Sequence, residues 1–389
     1  MQSSKSGQYV IFTVQYQSYI ANHCFQKTSL NHHSTRVLRE SPRHVTIIMA
    51  NTCYIAFFCS GTALRSTTKV VARHSFLQFR SRFSSSTQMS QKLRIGFVPE
   101  HFSTPLAFAQ QRFNLPGDLT PEPLGTGALT SRLKASSSDE NALDVAVGLT
   151  EGFVADLGKI EAKGEDVTYG IVGTYVESPL CWAISTGAKR DDLKSVTDLK
   201  NKRVGVSRIG SGSYVMSYVL ADQQGWLEQG KDPFGIVVAG NFEALRASVN
   251  LAPEEEGKES EFFMWEHFTT KKYWDDGEIK RIGEIYTPWA SWMVTARHSV
   301  KEQIPGLMES INKGVKHFKQ NPEEAVKHIT STMHYSEDDA RQWMKTVKFP
   351  DDVSGVNRAT VDNTIDILRT AGVLGSKAGK AEKMITNLT

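Results

Sequence analysis

From Leu93 onward, short apolar runs that halt at Pro, Gly or Asp alternate with stretches of helix length, and few architectures accommodate that pattern. Residues 93–98 read as a strand stopped by Pro99. Ser103-Thr104-Pro105 then starts a helix through Phe113, with a hydroxyl cap and a proline in the first turn. A short strand over 118–123, the turn Gly125-Thr126-Gly127 and a helix over 128–134 follow. Residues 144–148 read as a buried strand and 150–163 as a helix, with further strands at 168–175 and 181–185. This rhythm predicts an α/β fold with a parallel or mixed sheet.

The rhythm then restarts. A strand over 203–207 runs into Gly210-Ser211-Gly212-Ser213 and a helix over 214–224. A strand over 236–239 precedes a helix over 242–250, and the glutamate-rich segment 253–260 is a solvated loop. Strands follow at 261–265 and 280–285. After Trp289 the pattern turns helical, over 299–321, 322–332, 336–347 and 360–371. Asn321-Pro322-Glu323-Glu324 marks one start, with a cap, a first-turn proline and acids at the positive end. Two α/β units and a helical tail predict two lobes, with the tail packing back onto the first.

Charge and cysteine separate the first 92 residues from this body. Residues 1–92 carry eleven Lys/Arg against the single acid Glu40, whereas 93–389 carry 34 basic and 41 acidic residues. A net negative body without a basic run argues against a nucleic-acid surface. Cys24, Cys53 and Cys59 lie in the basic segment and Cys181 is alone in the body. One cysteine excludes an internal disulfide, an iron–sulfur cluster and, on this reading, a Cys-ligated zinc site.

The leading segment is Arg- and Ser-rich and acid-poor. Arg65, Lys69, Arg73, Arg80 and Arg82 are interleaved with Val70, Val71, Phe76, Leu77 and Phe79, the pattern of a mitochondrial presequence cut near residues 83–84. The uncharged stretch 45–64 is a competing weak signal anchor. Its Asn51, Thr52, Ser60, Gly61 and Thr62 make it a poor membrane span. Met49 and Met89 are alternative starts. The expected location is the mitochondrial matrix, with a cytoplasmic product from Met89 as the alternative.

Ligands of open α/β sheets sit beyond the carboxyl ends of the strands. Those positions hold Glu100, His101 and Phe102; then Thr126 and Gly127; then Thr150 and Glu151. In the second unit they hold Arg208, Gly210, Ser211, Gly212 and Ser213, and later Trp265, Glu266 and His267. Free N–H groups at Gly210–Ser213, helped by Arg208, suit an anion; the plainer reading is a turn whose serines cap the helix. Glu100 and Glu151 suit an amine-bearing ligand or acid–base work, or are simply acids at helix starts. His101 and His267 lack metal-ligand spacing and read as polar loop histidines, so no metal is expected. Trp182, Trp265 and Trp289 stack on a flat ligand or pack core and hinge. There is no Walker loop, Gly-x-Gly-x-x-Gly, nucleophile elbow or HExxH. Residues alone therefore lead to a two-lobed α/β binder of a small anionic molecule.

Several of these segments are also familiar as a set. Phe97-Val98-Pro99-Glu100-His101-Phe102, Gly125-Thr126-Gly127, Gly148-Leu149-Thr150-Glu151-Gly152 and the run from Ser207 to Ser213 resemble the type-II periplasmic-binding-protein superfamily. So do the run from Phe263 to Thr270 and Thr287-Pro288-Trp289. Within it the chain is most similar to the SsuA-like and thiamine-pyrimidine-synthase-like branch, and there to the fungal stand-alone members first typified by a Candida protein. The resemblance implies a clam-shell with lobe I at 93–182 plus 289–389, lobe II at 183–288, and hinge crossings at Pro179–Trp182 and Pro288-Trp289. It places a small-molecule ligand between the lobes, lined by Glu100, His101, Thr126, Glu151, Gly210, Ser211, Ser213, Trp265 and Glu266. It implies no transporter partner. The thiamine pyrimidine synthases of this branch use pyridoxal phosphate and a cysteine-rich iron motif. Here that motif is missing, and no cleft loop carries a Schiff-base lysine, Lys134 being the nearest. A non-catalytic binder without a cofactor is expected, its ligand combining an anionic group held at Ser211–Ser213 with a flat or amine-bearing part near Trp265, Glu100 and Glu151; a pyridoxal-phosphate enzyme or a ligand-sensing regulator are the alternatives.

Overall fold

The apolar runs of the chain pair into two separate mixed sheets. The computed structural model describes residues 92–387 apart from 229–230, 254 and 377. The expected presequence, its cut near 83–84, the 45–64 stretch and Met89 all lie outside the described residues. The first sheet starts with β1 (Leu93–Phe97), β2 (Gly117–Pro121), β3 (Val145–Leu149) and β4 (Tyr169–Val176). They alternate with α1 (Thr104–Arg112), α2 (Thr126–Lys134) and α3 (Thr150–Lys163). A 3-10 turn over His101–Ser103 joins β1 to α1, and Pro105 sits in the first turn of α1, where its missing N–H costs nothing. Gly164 closes α3 with a left-handed φ of 69°.

After β4 the chain leaves this sheet and enters the second as β5 (Cys181–Gly187). There β6 (Arg203–Val206), α4 (Gly212–Gln223), β7 (Gly235–Val238), α5 (Phe242–Val249), β8 (Phe262–Glu266), α6 (His267–Asp275) and β9 (Ile279–Tyr286) follow. The return strand β10 (Trp292–Arg297) inserts between β3 and β4. The strand orders are β2-β1-β3-β10-β4 and β7-β6-β8-β5-β9. In each sheet four strands run in one direction, and the strand that has just crossed over, β10 or β5, lies antiparallel between two of them.

The two crossings, 177–180 and 287–291, are hydrogen-bonded to each other. Thr287 N donates to Leu180 O at 3.0 Å, Leu180 N donates to Thr287 Oγ1 at 2.9 Å, and Ser291 Oγ donates to Ser178 O at 2.8 Å. The tail, α7 (Ile304–Gln320), α8 (Pro322–Thr332), α9 (Glu337–Thr346), α10 (Arg358–Thr370) and α11 (Ala381–Met384), packs mainly on the first sheet and its helices. One apolar core runs from the first sheet into α4 and β8 of the second, and a small separate cluster holds Leu245, Val249, Phe263 and Ile279. No helix of the described residues is long and apolar enough to cross a membrane.

The sequence reading went astray after Trp289. All six residues of β10 are buried, so the strand shows no polar alternation to mark it. The helix expected over 299–321 is a 3-10 segment over His298–Gln303 followed by α7, which begins at the Ile304-Pro305 step. The helix expected from Tyr214 begins at Gly212, and that expected from Ala128 begins at Thr126, so both glycine loops supply first-turn residues.

Gly314 in α7 sets how closely that helix approaches α1: a Cβ there would lie 2.2 Å from Pro105 O and 2.9 Å from Ala109 Cβ. Helix propensity alone favours alanine by about 1 kcal/mol. Overpacking against backbone opposes it by about 1–3 kcal/mol and wins, because the carbonyl cannot swing aside. Gly314→Ala is expected to lower the denaturant midpoint, whereas Gly306→Ala, with open space at its Cβ, should leave it unchanged or higher.

Candidate functional site

The first turn of α3 is anchored to the second crossing. Thr150 N donates to Ser291 O at 3.0 Å and Thr150 Oγ1 donates to Ala290 O at 2.5 Å. This holds Glu151 between the lobes, where Trp289 Nε1 donates to its Oε2 at 3.2 Å. The other oxygen, Oε1, is buried without a hydrogen-bond partner, as is the nearby indole N–H of Trp182. Gly212, opening α4 from the second lobe, closes over both. A Cβ there would lie 2.7 Å from Glu151 Oε1 and 2.7 Å from Trp182 Cη2. Burial pushes the Glu151 carboxyl up to about 7, against the pull of a backbone N–H, Trp289 and Arg208.

A second polar cluster forms where β1 of one lobe faces β8 of the other. His101 is 1% exposed and neither ring nitrogen has a hydrogen-bond partner. Its Nε2 is 3.8 Å from Glu266 Oε1, too far for a hydrogen bond, and burial holds the ring neutral by lowering its pKa well below the usual value. The imidazole edges onto Trp343 at 4.3 Å and Tyr335 at 4.5 Å. Glu266 caps α6, its Oε2 accepting from Thr269 N at 2.6 Å. Glu100 and Glu266 are both raised, first by burial, and Glu100 further by the charge of Glu266. Among the described residues none of Glu100, Glu151 and Glu266 has an Lys or Arg ion-pair partner.

Cations sit further out. Arg208 reaches across to α2, so that a Cβ on Gly127 would lie 2.3 Å from its Nη2. Lys159 of α3 reaches the other way, and a Cβ on Gly210 would lie 3.2 Å from its Nζ. Gly210 itself has φ +76°, the left-handed region in which a side chain is strained. Neither Arg208 nor Lys159 has a hydrogen-bond or ion-pair partner among the described residues, and burial and mutual repulsion lower the Lys159 pKa.

Other residues singled out in the sequence are otherwise engaged. Ser211 Oγ accepts from Tyr214 N at 3.3 Å and pairs with Ser213 Oγ at 2.9 Å, which accepts from Ser207 N at 3.3 Å. These hydroxyls cap the helix and brace its loop. Thr126 Oγ1 accepts from Leu149 N at 3.0 Å, fixing the end of β3. Phe102 does not face the cleft: it stacks on Trp292 at 5.1 Å within the first lobe. Trp265 is also misplaced by the sequence reading. Alternation along β8 sends Glu266 toward His101 and Trp265 to the opposite face, where it stacks on Phe242 at 5.0 Å. The indoles at the cleft are Trp182 and Trp289. Lys159 and Tyr335 were not foreseen; Lys159 shares α3 with Glu151, but nothing local marks Tyr335, which the tail delivers.

Cys181 Sγ lies 3.7 Å from His267 Nδ1, but burial pushes its thiol pKa up and nearby Glu284 adds to the rise, the reverse of what a nucleophilic thiolate needs. A cavity of about 830 Å³ lies elsewhere, near Phe318, Met344 and Phe349. Of the basic residues along it, Lys319, Arg341 and Lys348 are already paired with Asp351, Glu323 and Glu177.

Residues 182–285 match a family described as Ca3427-like PBP. Among solved structures, one described as showing that the conserved Candida albicans CA3427 gene product defines a new family with the generic periplasmic-binding-protein fold is 39% identical. It aligns over 76% of this chain and 96% of that one, with a TM-score of 0.66. The alkanesulfonate-binding protein SsuA from Xanthomonas axonopodis pv. citri, bound to MOPS, is 15% identical over 76% and 98% of the two chains, with a TM-score of 0.58. The periplasmic nitrate-binding protein NrtA from Synechocystis PCC 6803 is 14% identical over 74% and 83%, with a TM-score of 0.55. No curated protein matches the chain.

Two outcomes are expected. A methyl group at Gly212 must displace Glu151 or the Trp182 ring, so Gly212→Ala should hold the lobes apart and enlarge the radius of gyration in small-angle scattering; an unchanged profile would show that α4 does not set closure. Glu151 ties stability to pH. Its folded pKa of about 7 exceeds the ordinary 4.5, so above about 4.5 the unfolded chain has shed a proton that the folded chain keeps. Its contribution is complete below about 4.5 and is lost as pH rises through about 7. Melting curves across that window should therefore fall more steeply for the natural chain than for Glu151→Gln.

Proposed function

The chain belongs to the family that the Candida albicans CA3427 product defines, with its two-lobed periplasmic-binding-protein fold, and on that premise we propose that it is a non-catalytic binder of a small molecule carrying both N–H donors and an anionic group. The donors meet Glu100, Glu151 and Glu266 between the lobes, and the anionic group meets Arg208 and Lys159 at the rim. The observation that carries this reading is the set of buried polar atoms left unpartnered from both sides of the cleft: Glu151 Oε1, Trp182 Nε1 and both ring nitrogens of His101. Each such atom costs about 1–3 kcal/mol, and a ligand that bonds them recovers that cost. A ligand touching residues of both lobes gains its full set of contacts only in the shut form, and so favours closure.

Chemistry favours the mixed ligand expected from the sequence over a plain anion, with the anionic group moved from the serines to the cations. Sulfonate- and nitrate-binding proteins share the fold, but three carboxyls without a cationic partner are a poor floor for an inorganic anion. Their raised pKa values express the same electrostatic cost, which donor N–H groups or a positive charge relieve. The serines of the Gly210–Ser213 loop support α4 in this reading, and the anion contact passes to Arg208 and Lys159.

A thermal-shift panel distinguishes the possibilities: nitrate, phosphate, methanesulfonate, taurine and phosphorylated aminopyrimidines. A compound with both amine and anion, at a hundred times its Kd, should stabilise the protein by about 2.7 kcal/mol, and Glu151→Gln should remove most of that gain. Equal stabilisation by nitrate or methanesulfonate, indifferent to Glu151→Gln, would refute the mixed-ligand reading.

A further inference from the structure

We propose that Cys181, His267 and Glu284 form a three-ligand site for a zinc-class cation on the second lobe, separate from the ligand cleft. The sheet register assembles it. In the antiparallel pair β5–β9, Ala183 lies opposite Glu284 and Cys181 opposite Tyr286, so Cys181 and Glu284 are diagonal neighbours on one face. Trp182 pairs with Glu266 on β8, and the next residue, His267, opens α6 and turns its ring over that face. Three adjoining elements thus each present one donor of a different kind.

The distances suit a metal better than they suit hydrogen bonding. Cys181 Sγ is 3.7 Å from His267 Nδ1 and 3.9 Å from Glu284 Oε2, and His267 Nδ1 is 3.9 Å from Glu284 Oε2. The three atoms form a nearly equilateral triangle, whose centre lies about 2.2 Å from each corner, close to ordinary zinc bonds to sulfur, nitrogen and oxygen. Among the described residues this is the one His/Cys/acid group with such spacing. Thiolate and imidazole favour a zinc-class ion over calcium or magnesium, which take oxygen ligands.

The side-chain exposures of His267, 18%, and Glu284, 36%, leave an approach from solvent and a fourth position for water. Arg281 donates to Glu284 Oε2 and the Tyr286 hydroxyl donates to Oε1 at 3.2 Å, orienting the carboxylate as outer-shell partners orient metal ligands. The Arg281 charge opposes a cation, so the thiolate must offset it. On binding, the cation replaces the Cys181 thiol proton, which leaves to solvent, and no electron is transferred. Counting cysteines alone excluded zinc from the sequence; one cysteine suffices when histidine and carboxylate complete the set.

The test uses the full chain, stripped with a chelator and titrated with Co²⁺, then Zn²⁺. A near-ultraviolet thiolate-to-cobalt band should appear, saturate at one equivalent and disappear when Zn²⁺ is added. In Cys181→Ser the band should vanish although Cys24, Cys53 and Cys59 remain. His267→Ala and Glu284→Gln should each lower affinity by more than the roughly 10–100-fold cost of losing an outer-shell partner. Metal-free circular dichroism and melting of each variant, matched to the natural chain, show that folding is intact. Should a variant not fold, protection of Cys181 from alkylation by one equivalent of Zn²⁺ in the natural chain reads the same contact. No thiolate band, a band that survives Cys181→Ser, or a Cys181 that Zn²⁺ leaves equally reactive would overturn the proposal.

Discussion

The pairing of the two crossings governs the rest of the molecule. Each sheet is completed by a strand that arrives from the other, so neither five-stranded sheet exists without both crossings. Because Leu180, Thr287, Ser178 and Ser291 bond the crossings to one another, the passages behave as one ribbon. The same ribbon holds the first turn of α3 through Thr150 and supplies the indole that fixes Glu151. The elements that join the two lobes are thus those that aim the carboxyl between them.

Around that ribbon the polar groups follow a gradient. Deep positions hold Glu266, Glu151 with its Oε1 unpartnered, and a neutral His101 without hydrogen-bond partners, and cations stand toward the rim at Arg208 and Lys159. Burial makes each deep group costly in its charged form, which raises the carboxyls and lowers His101 together. Such an arrangement is unfavourable for stability alone. Under the proposed function, its place at the meeting of two lobes is where a ligand brings the complementary groups.

Most strands and helices were legible because their signals are local. The cap and proline at Asn321-Pro322 and the run over 150–163 each carry their own cue, and α8 and α3 match those readings. β10 was illegible for a physical reason: a strand buried on both faces lacks alternation. At the site, the loops at strand ends carry local cues in the sequence, but side-chain direction does not. Phe102 turns into the first core, Trp265 turns to the far face of β8, and Ser211 and Ser213 use their hydroxyls within the loop.

The sequence by itself determined the alternation of strands and helices, the division into two α/β units and the loops that meet at one edge, because period, capping and turn chemistry act over a few residues. Only the tertiary structure decided which loop residues face each other. Glu151 meets Gly212 and Trp182, and Cys181 meets His267 and Glu284, across separations of many residues that no local signal spans. Those meetings depend on strand register and on the crossings, and a shift of one residue along β5 or β9 would turn Cys181, Trp182 or Glu284 to the opposite face.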